Sequence, residues 1–177
     1  MSKKIKPRKI LLFGDECLRK ACTSVVVFNR ELHDKLDIAR QTLTKNKGGA
    51  ALAAPQIFIL KRFIVIDYLG EYLELINPLI TERSGEVESY EGCLSFPGYI
   101  GKVKRSKYVK VSYQDRTGAF NEIERTGEMA KCIEHEIDHL DGILYIDRIL
   151  EDFVYNPETD AKVSVKDLLF LTQKEFK

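Results

Sequence analysis

Hydrophobic residues recur with helical spacing in two segments of the chain. Over residues 29–46 they return every three or four positions, which predicts an amphipathic helix. A second stripe with the same spacing predicts another helix in the C-terminal half, and it consists of Met129, Ile133, Ile137 and Leu140. Thr126 can cap this helix through its hydroxyl, and Gly142 is a natural stop just after its last turn. A further helix is predicted over residues 164–177.

Segments with the composition of β-strands occupy the middle of the chain. Runs of β-branched and aromatic residues around glycine-containing turns predict two strand pairs, 62–68 with 71–76 and 103–114 with 120–125. A short strand is expected after the central helix. Because strands precede a late helix, the pattern predicts an α+β fold in which antiparallel sheets pack around that helix.

Length and charge predict one domain without general affinity for charged or lipid surfaces. The 177 residues are enough for one sizeable core, so we expect residues 1–177 to form a single domain. The formal net charge of +1 gives no reason to expect binding to nucleic acid or membranes. No apolar run is long enough to span a bilayer. Residues 1–9 are basic and are expected to form a flexible tail.

The cysteines indicate the compartment in which the protein works. They show no C-x-x-C pairing, and they are Cys17, Cys22, Cys93 and Cys132. In a chain of this size, such a pattern is typical of reduced thiols rather than of a disulfide framework. We therefore expect a cytoplasmic protein.

Two histidines of the predicted central helix stand four residues apart. His135 and His139 enclose Glu136 in the motif H-E-x-x-H. Residues with this spacing share one face of a helix, so both imidazoles can bind one metal ion while Glu136 carries protons beside it. The motif indicates metal-assisted attack of water on a carbonyl. The alternative is a pair of hydrogen-bonded histidines with a surface glutamate.

A catalytic site of this kind needs a third protein ligand. No histidine follows His139, so a third histidine downstream is excluded, but Glu151 and Glu158 remain candidates by position. Cys93 is the better candidate, because it lies between Gly92 and a turn-rich exit and a thiolate binds Zn or Fe(II) strongly. On its own, a cysteine such as Cys93 is more often a buried apolar residue than a ligand, and the H-E-x-x-H motif reverses that preference.

A third segment, residues 48–56, is small, apolar and rich in glycine and alanine. The backbone of such a segment can lie against a ligand, and Gln56 ends it with an amide that can donate a hydrogen bond. The alternative is a tightly packed turn before a strand.

Together, the three segments resemble the three motifs of the peptide deformylases. That family carries G-x-G-x-A-A-P-Q, E-G-C-L-S and Q-H-E-x-D-H-L-x-G in this order, and the matching segments here are residues 49–56, 91–95 and 134–142. The resemblance extends to residues 10–19, which look like the family's N-terminal strand and turn, and to residues 143–148, which look like the strand after the metal helix.

The resemblance implies a function and a role for each matching residue. The reaction is removal of the formyl group from the N-terminal formylmethionine of new polypeptides, with release of formate. Cys93, His135 and His139 would bind the metal, and Glu136 would move the proton from water to the leaving amine. The backbone N–H of Leu94 and the side chain of Gln56 would stabilise the oxyanion.

The resemblance also implies the surroundings of the metal site. Asp138 would pair with Arg105 and tie the cysteine strand to the helix. The expected substrate-binding residues are Gly49, Ala51, Glu91, Gly92, Glu128, Lys131 and Cys132.

This chain departs from the family motifs at several positions. Ala51 replaces a glycine, which is tolerable where the local φ is negative. Glu134 replaces a glutamine, and we expect its side chain to face solvent. Glu128 and Lys131 stand where the family usually has apolar residues, and as a charged pair at i, i+3 they could close on each other. A polar wall would change the side-chain specificity more than the chemistry.

Three functional hypotheses follow. The first is an active deformylase with one divalent ion, natively Fe(II), although Zn, Ni or Co also suit cysteine with two histidines. Its partners would be N-formylmethionyl peptides and, transiently, the ribosome. The second is a small zincin peptidase, which needs neither residues 49–56 nor Cys93. The third is a non-catalytic deformylase-like binding protein, which would not need Glu136.

Overall fold

One antiparallel sheet and two long helices form the part of the chain that the structure describes. The structure is a computed structural model, and it describes residues 6–46 and 48–168. The seven strands are β1 Ala51–Ala53, β2 Phe63–Tyr68, β3 Glu71–Cys93, β4 Phe96–Gln114, β5 Phe120–Thr126, β6 Phe153–Tyr155 and β7 Lys162–Ser164. Their order is β1-β2-β3-β4-β6-β7, with β5 paired to β4, and all pairs are antiparallel. The predicted α+β fold is confirmed.

The first helix, α1, covers one side of β1 and β2. It spans Arg30–Lys45, and the side chain of Asn29 caps it by accepting from the N–H of Leu32 at 3.2 Å. Its apolar stripe is buried in a core cluster with strand residues such as Leu52 and Val65. The helical spacing over residues 29–46 therefore predicted this element correctly.

A long hairpin of β3 and β4 brings the cysteine to the centre of the molecule. The two strands pair from Ile76↔Gln114 to Cys93↔Phe96. Leu94 and Ser95 form the turn between them, so Cys93 is the last strand residue before the turn. Only residues 71–76 of β3 and 103–114 of β4 were predicted as strands, because the exposed stretch of β3 after Ile76 is polar at most positions.

The second helix, α2, carries both histidines through the core. It spans Gly127–Leu140, and its apolar stripe packs against strand residues such as Val109 and Val111. Thr126 stands at the N-cap position but makes no side-chain capping hydrogen bond, so the predicted hydroxyl cap is wrong. Gly142 does end the helix. Its φ is +74°, and a Cβ there would lie 2.5 Å from the carbonyl oxygen of Arg19.

Two shorter segments differ from their predicted form. Residues 143–148 were expected as a strand, but Tyr145–Arg148 is a 3₁₀ helix in which Asp147 accepts from the N–H of Leu144 at 2.8 Å. Residues 10–12 have no regular structure, and the first element is the 3₁₀ helix Glu16–Arg19. Both segments are held by contacts with distant parts of the chain, such as the hydrogen bond from Leu11 N–H to the Gln56 carbonyl.

The N-terminal end of the chain departs from prediction where it is described. Arg8 was expected in a flexible tail, but its backbone N–H donates to Thr42 Oγ1 at 2.9 Å and its guanidinium donates to the Ile57 carbonyl at 3.0 Å. Residues 1–5 lie outside the described part. Ser164 closes β7, and residues 165–168 are helical. The rest of the predicted C-terminal helix also lies outside the described residues.

Candidate metal centre and active site

Three ligand atoms from two distant elements converge at the end of the β3–β4 hairpin. Cys93, His135 and His139 each place one ligand atom within 4.8 Å of the other two. The Sγ of Cys93 lies 3.2 Å from Nε2 of His139. Within the described residues, this group contains neither Glu151 nor Glu158. The third candidate ligand is therefore Cys93, as preferred from the sequence.

Glu91 fixes the orientation of His135. Its Oε2 lies 2.9 Å from Nδ1 of His135. Because Nδ1 is engaged by a carboxylate, Nε2 of the same ring is left to face Cys93 and His139. The guanidinium of Arg105 in turn donates two parallel hydrogen bonds of 2.9 and 3.0 Å to the Glu91 carboxylate. Glu91, expected only as a substrate-binding residue, thus also holds a metal-ligand side chain.

Asp138 links the helix to the hairpin, as the resemblance implied. Nη1 of Arg105 donates to its Oδ2 at 2.6 Å, and both side chains are buried. A second arginine, Arg148, donates to the same carboxylate with hydrogen bonds of 2.5 and 2.7 Å. The role of Arg148 was not predicted from the sequence, because the 3₁₀ turn that carries it was expected as a strand. Its only sequence signal is a charge ten residues after Asp138.

Glu134 is buried and not solvent-facing, so that expectation was wrong. Its carboxylate accepts from the backbone N–H of Ser106 at 2.8 Å and from the Ser106 hydroxyl at 3.0 Å. Arg83 of β3 donates to it at 3.0 Å. The substitution of glutamate for glutamine therefore gives the helix a three-donor attachment to the hairpin, directly before the first histidine.

Glu136 and Gln56 both line the cleft beside the ligand group. Glu136 is 5% exposed, and its Oε2 has no hydrogen-bond partner among the described residues. Gln56 is fully buried, with its Oε1 accepting from the N–H of Ala53 at 2.8 Å. Its Nε2 therefore points toward Ser95 Oγ at 3.1 Å and Cys93 Sγ at 3.6 Å. The amide orientation is fixed, with its donor end at the site.

The acid–base properties of the site follow from this burial. Burial raises the pKa of Glu136 to about 7, and the negative charge of Glu91 adds to the effect. Burial alone would also raise the pKa of Glu91, but hydrogen bonds from His135 and Arg105 outweigh it and lower that pKa to about 2. The pKa values of the two carboxyls therefore differ widely. Glu91 remains an anion, and Glu136 can hold or release a proton near neutral pH.

A cleft of about 500 Å³ opens onto the ligand group. All the residues expected to bind substrate line it, together with Gln56, Cys93, Leu94 and Glu136 of the site itself. Four further residues that line it were not predicted from the sequence, and these are Tyr68, Tyr90, Pro97 and Gly98. Asp138 and Arg105 do not line the cleft and lie behind it, between helix and hairpin.

The charged pair on α2 forms part of the cleft wall. Lys131 Nζ lies 2.6 Å from Glu128 Oε1, as the i, i+3 spacing indicated. The Lys131 side chain is only 12% exposed, whereas that of Glu128 is 60% exposed. The aliphatic stem of Lys131 therefore covers the wall and its ammonium group meets Glu128 toward the solvent.

The segment before Gln56 lies against the same cleft. Ala51 is extended in β1 and pairs with Ile66, so the methyl group is accommodated without a left-handed backbone. At Gly49 a Cβ would lie 2.7 Å from the Leu94 side chain. A side chain at this position would have to displace the Leu94 side chain in the turn that follows Cys93.

The residues present fit a divalent transition metal. A thiolate with two imidazoles is a donor set that Zn, Fe(II), Co and Ni accept. Buried polar groups normally have partners, and Glu136 Oε2, whose residue lines the cleft beside this ligand group, has none within the described residues. Catalytic sites with three protein ligands keep one position for water, and a water there would give this oxygen its partner.

Comparisons with known proteins identify the family. The family model described as polypeptide deformylase matches residues 7–152. A peptide deformylase of Thermoanaerobacter pseudethanolicus is 46% identical over 143 residues, which cover 81% of this chain and 89% of that protein. The crystal structure of the peptide deformylase from Thermotoga maritima superimposes with a TM-score of 0.79 at 39% identity, covering 82% of this chain and 99% of that one. The chain belongs to the polypeptide deformylase family.

Membership in the deformylase family decides between the hypotheses from the sequence. The protein is a metal-dependent hydrolase that removes the N-terminal formyl group from nascent polypeptides, and the zincin alternative is excluded. A solved peptide deformylase from Synechococcus elongatus in complex with actinonin has a TM-score of 0.79 at 38% identity, covering 85% of this chain and 82% of that one. No helix in residues 6–46 and 48–168 is long and apolar enough to cross a membrane.

Proposed function

We propose that this protein hydrolyses the formamide bond of N-terminal formylmethionine with one metal ion held by Cys93, His135 and His139. The observation that carries the proposal is the convergence of these three ligand atoms within 4.8 Å beside the buried Glu136, at the base of a cleft. The same arrangement argues against a purely binding function, because binding alone does not need a proton carrier at the ligand group.

The metal supplies Lewis-acid chemistry when bound: it polarises the formyl carbonyl and lowers the pKa of water, to about 7 in zinc enzymes. We propose Fe(II) as the native ion. Zn, Ni or Co would occupy the same ligands in purified protein, since all of them accept cysteine and histidine.

Glu136 moves the proton in this proposal. It accepts a proton from the attacking water as the new C–O bond forms at the formyl carbon. It then gives that proton to the nitrogen as the C–N bond breaks, so the products are formate and a free amino terminus. A buried carboxyl with a pKa of about 7 can do both without changing position.

Gln56 and Leu94 stabilise the negative charge that develops on the formyl oxygen. The Gln56 amide is fixed by Ala53 so that its N–H₂ group faces the site. Leu94 follows Cys93 directly in the hairpin turn and lines the cleft, and we assign its backbone N–H to the same oxygen. A preorganised donor of this kind is typically worth about 2.7–4 kcal/mol.

The cleft receives the methionine and the start of the peptide. Gly49, Ala51 and Gly92 offer little side-chain bulk, so the peptide backbone can approach them closely. Cys132 and the stem of Lys131 form the wall against which the methionine side chain packs. Glu91 orients His135 through a hydrogen bond, and Arg105 connects Glu91 to Asp138 on the side away from the cleft.

We assign residues 1–177 to one catalytic domain, working in the cytoplasm and meeting the ribosome transiently. The single sheet from β1 to β7 supports one domain. All four cysteines are free, and a thiolate ligand needs a reducing compartment to stay available. Contact with the ribosome would follow from a substrate that is a nascent chain.

One assay tests the proposal. Anaerobically prepared protein, with its metal content measured, is given formyl-Met-Ala, and released formate is quantified. We expect about one ion per chain and formate release that stops on chelation and returns with Fe(II). Metal-loaded protein without formate release would contradict the proposal.

A further inference from the structure

Basic and acidic residues are unevenly distributed along the chain. Residues 1–14 and 38–66 carry ten of the 28 basic residues and none of the 27 acidic residues. The second of these segments runs from the second half of α1 into β2. The formal net charge of +1 therefore conceals a strongly positive part and a negative remainder. A local excess of positive charge attracts polyanions even when the whole chain is nearly neutral.

Most basic residues outside these segments face a carboxylate, as Lys35 faces Glu31 at 2.7 Å. Within residues 6–46 and 48–168, the basic residues that belong to no ion pair are Lys6, Arg8, Lys9, Arg40, Lys45, Lys61, Lys107, Lys162 and Lys166. The first five of these lie on the N-terminal stretch and on α1, so their positive charge is not neutralised by a neighbouring carboxylate.

A groove lies between the N-terminal stretch and α1. The backbone N–H of Arg8 donates to Thr42 Oγ1 at 2.9 Å, which fastens the stretch against the helix. The groove has a volume of about 560 Å³, and it is lined by Pro7, Asp37, Arg40, Gln41, Thr44 and Lys45. Asp37 is the one carboxylate in this lining, and it is paired with Arg116. We use the term basic groove for this groove with its five exposed cations, which are Lys6, Arg8, Lys9, Arg40 and Lys45.

The arrangement of the cations fits a chain of phosphates better than one small anion. They lie on two separate segments, and Arg40 and Lys45 alone are about 7.5 Å apart along the helix axis. Gln41 and Thr44 add hydrogen-bond donors between them, as is usual where a protein contacts a nucleic acid backbone. A lipid surface would also require exposed apolar side chains, but the apolar stripe of α1 is buried in the core.

The basic groove borders the active-site cleft. Lys45 is the last residue of α1, and Gly48 of the cleft lining follows three residues later, at most about 11 Å away. On the other side, the guanidinium of Arg8 donates to the carbonyl of Ile57, the residue after Gln56. A polyanion in the basic groove would therefore lie beside the cleft without blocking it.

We propose that the basic groove binds the phosphate backbone of ribosomal RNA and so holds the enzyme near the polypeptide that it deformylates. The assignment rests on the proposed function, because a substrate that is a nascent chain emerges beside a surface rich in RNA. Contacts to phosphates carry no base specificity, and their strength falls steeply with salt. The enzyme thus binds transiently and remains free to move between ribosomes.

The test measures binding of the labelled, metal-loaded enzyme to purified bacterial 70S ribosomes between 50 and 200 mM KCl. If all five cations contact phosphates, log Kd should rise with log [KCl] with a slope of about 3.5–4.5, because each contact contributes about 0.7–0.9. Arg40→Gln with Lys45→Gln should lower this slope by about 1.4–1.8 and weaken binding about tenfold at 100 mM KCl. Formate release from free formyl-Met-Ala should be unchanged, since neither residue lines the cleft.

Lys104→Gln with Lys107→Gln is the matched control, since both residues are exposed on β4 and the net charge changes equally. It should leave the slope and the affinity close to those of the wild type. Protein-free ribosomal RNA should bind the enzyme with a similar slope.

Equal weakening in both double variants, or ribosome binding that is independent of salt, would overturn the inference. Binding to ribosomes without binding to protein-free RNA would exclude the phosphate contact. A wild-type enzyme that binds phosphatidylglycerol vesicles and not ribosomes would assign the basic groove to a lipid surface instead. Absence of formate release from formyl-Met-Ala would overturn the proposed function, whatever the enzyme binds.

Discussion

Glu91 Oε2 and His135 Nδ1 lie 2.9 Å apart, joining the end of a strand to a metal-ligand residue of the helix. The contact is part of a chain of charges that continues from Glu91 through Arg105 to Asp138. The ring of His135 is thus held by the hairpin as well as by its own helix. The geometry of the ligand group depends on this connection, because its third member, Cys93, also lies on the hairpin.

Replacing Glu91 by Gln should weaken metal binding about 10- to 100-fold, the usual effect of removing a group that orients a ligand. The amide cannot give His135 the same charged acceptor. Competition with a chelator of known affinity measures the change. Glu88→Gln is the control, since Glu88 lies on the same strand in an exposed pair with Lys102 at 3.1 Å. Equal metal affinity in both variants would contradict the role of Glu91.

The two arginines on Asp138 should differ in their effect on stability. Arg105→Ala leaves two carboxylates without their buried partner, and we expect a loss of about 3–5 kcal/mol in the free energy of unfolding. The Arg148 side chain is 43% exposed and Asp138 keeps Arg105, so Arg148→Ala should cost about 1 kcal/mol or less.

Urea denaturation measures both effects. Arg30→Ala is the control, because Arg30 forms an exposed pair with Asp34 at 2.9 Å and its removal should change stability little. The assignment would be wrong if Arg148→Ala destabilised the protein as much as Arg105→Ala.

Glu136→Gln should keep the metal but lose about 10²–10⁴-fold in kcat, because the carboxyl is a proton carrier and not a ligand. Metal content and formate release are measured on the same preparation. Glu134→Gln is the matched control on the same helix, since Glu134 faces Ser106 and Arg83 rather than the cleft. Turnover by Glu136→Gln close to that of the wild type would remove Glu136 from the mechanism.

The charged pair in the cleft wall should weaken the preference of the enzyme for formyl-Met peptides over formyl-peptides with a polar first residue. Lys131 and Glu128 make that wall more polar. Burial of apolar surface is worth roughly 25 cal/mol per Å², and an apolar side chain buries less of its surface against apolar atoms when the wall is polar. The double change Glu128→Leu with Lys131→Ile should lower KM for formyl-Met peptides relative to formyl-peptides with a polar first residue. Changing both residues avoids an unpaired charge in the cleft.

The control for the double change is Glu31→Leu with Lys35→Ile, which removes a similar pair from α1, away from the cleft. It should leave KM unaltered. An unchanged substrate ranking in the Glu128 and Lys131 variant would show that methionine does not contact this wall.

The sequence by itself determined the parts of the site whose geometry is local. Two histidines four residues apart on a helix face the same way wherever that helix lies, so the spacing of His135 and His139 is enough to pair them. The pairing of Lys131 with Glu128 follows from the same rule. Both long helices were predicted for the same reason, since their apolar stripes repeat within the segment.

Only the tertiary structure decided what depends on how distant segments meet. The role of Glu91, the burial of Glu134 and the second arginine on Asp138 all follow from the register of the β3–β4 hairpin and from how α2 and its following turn pack against it. Tyr90 reaches Tyr155 for the same reason, although 65 positions separate them in the sequence. Strand register is fixed by side-chain packing over the whole sheet, and a local pattern of polar and apolar residues does not contain that information.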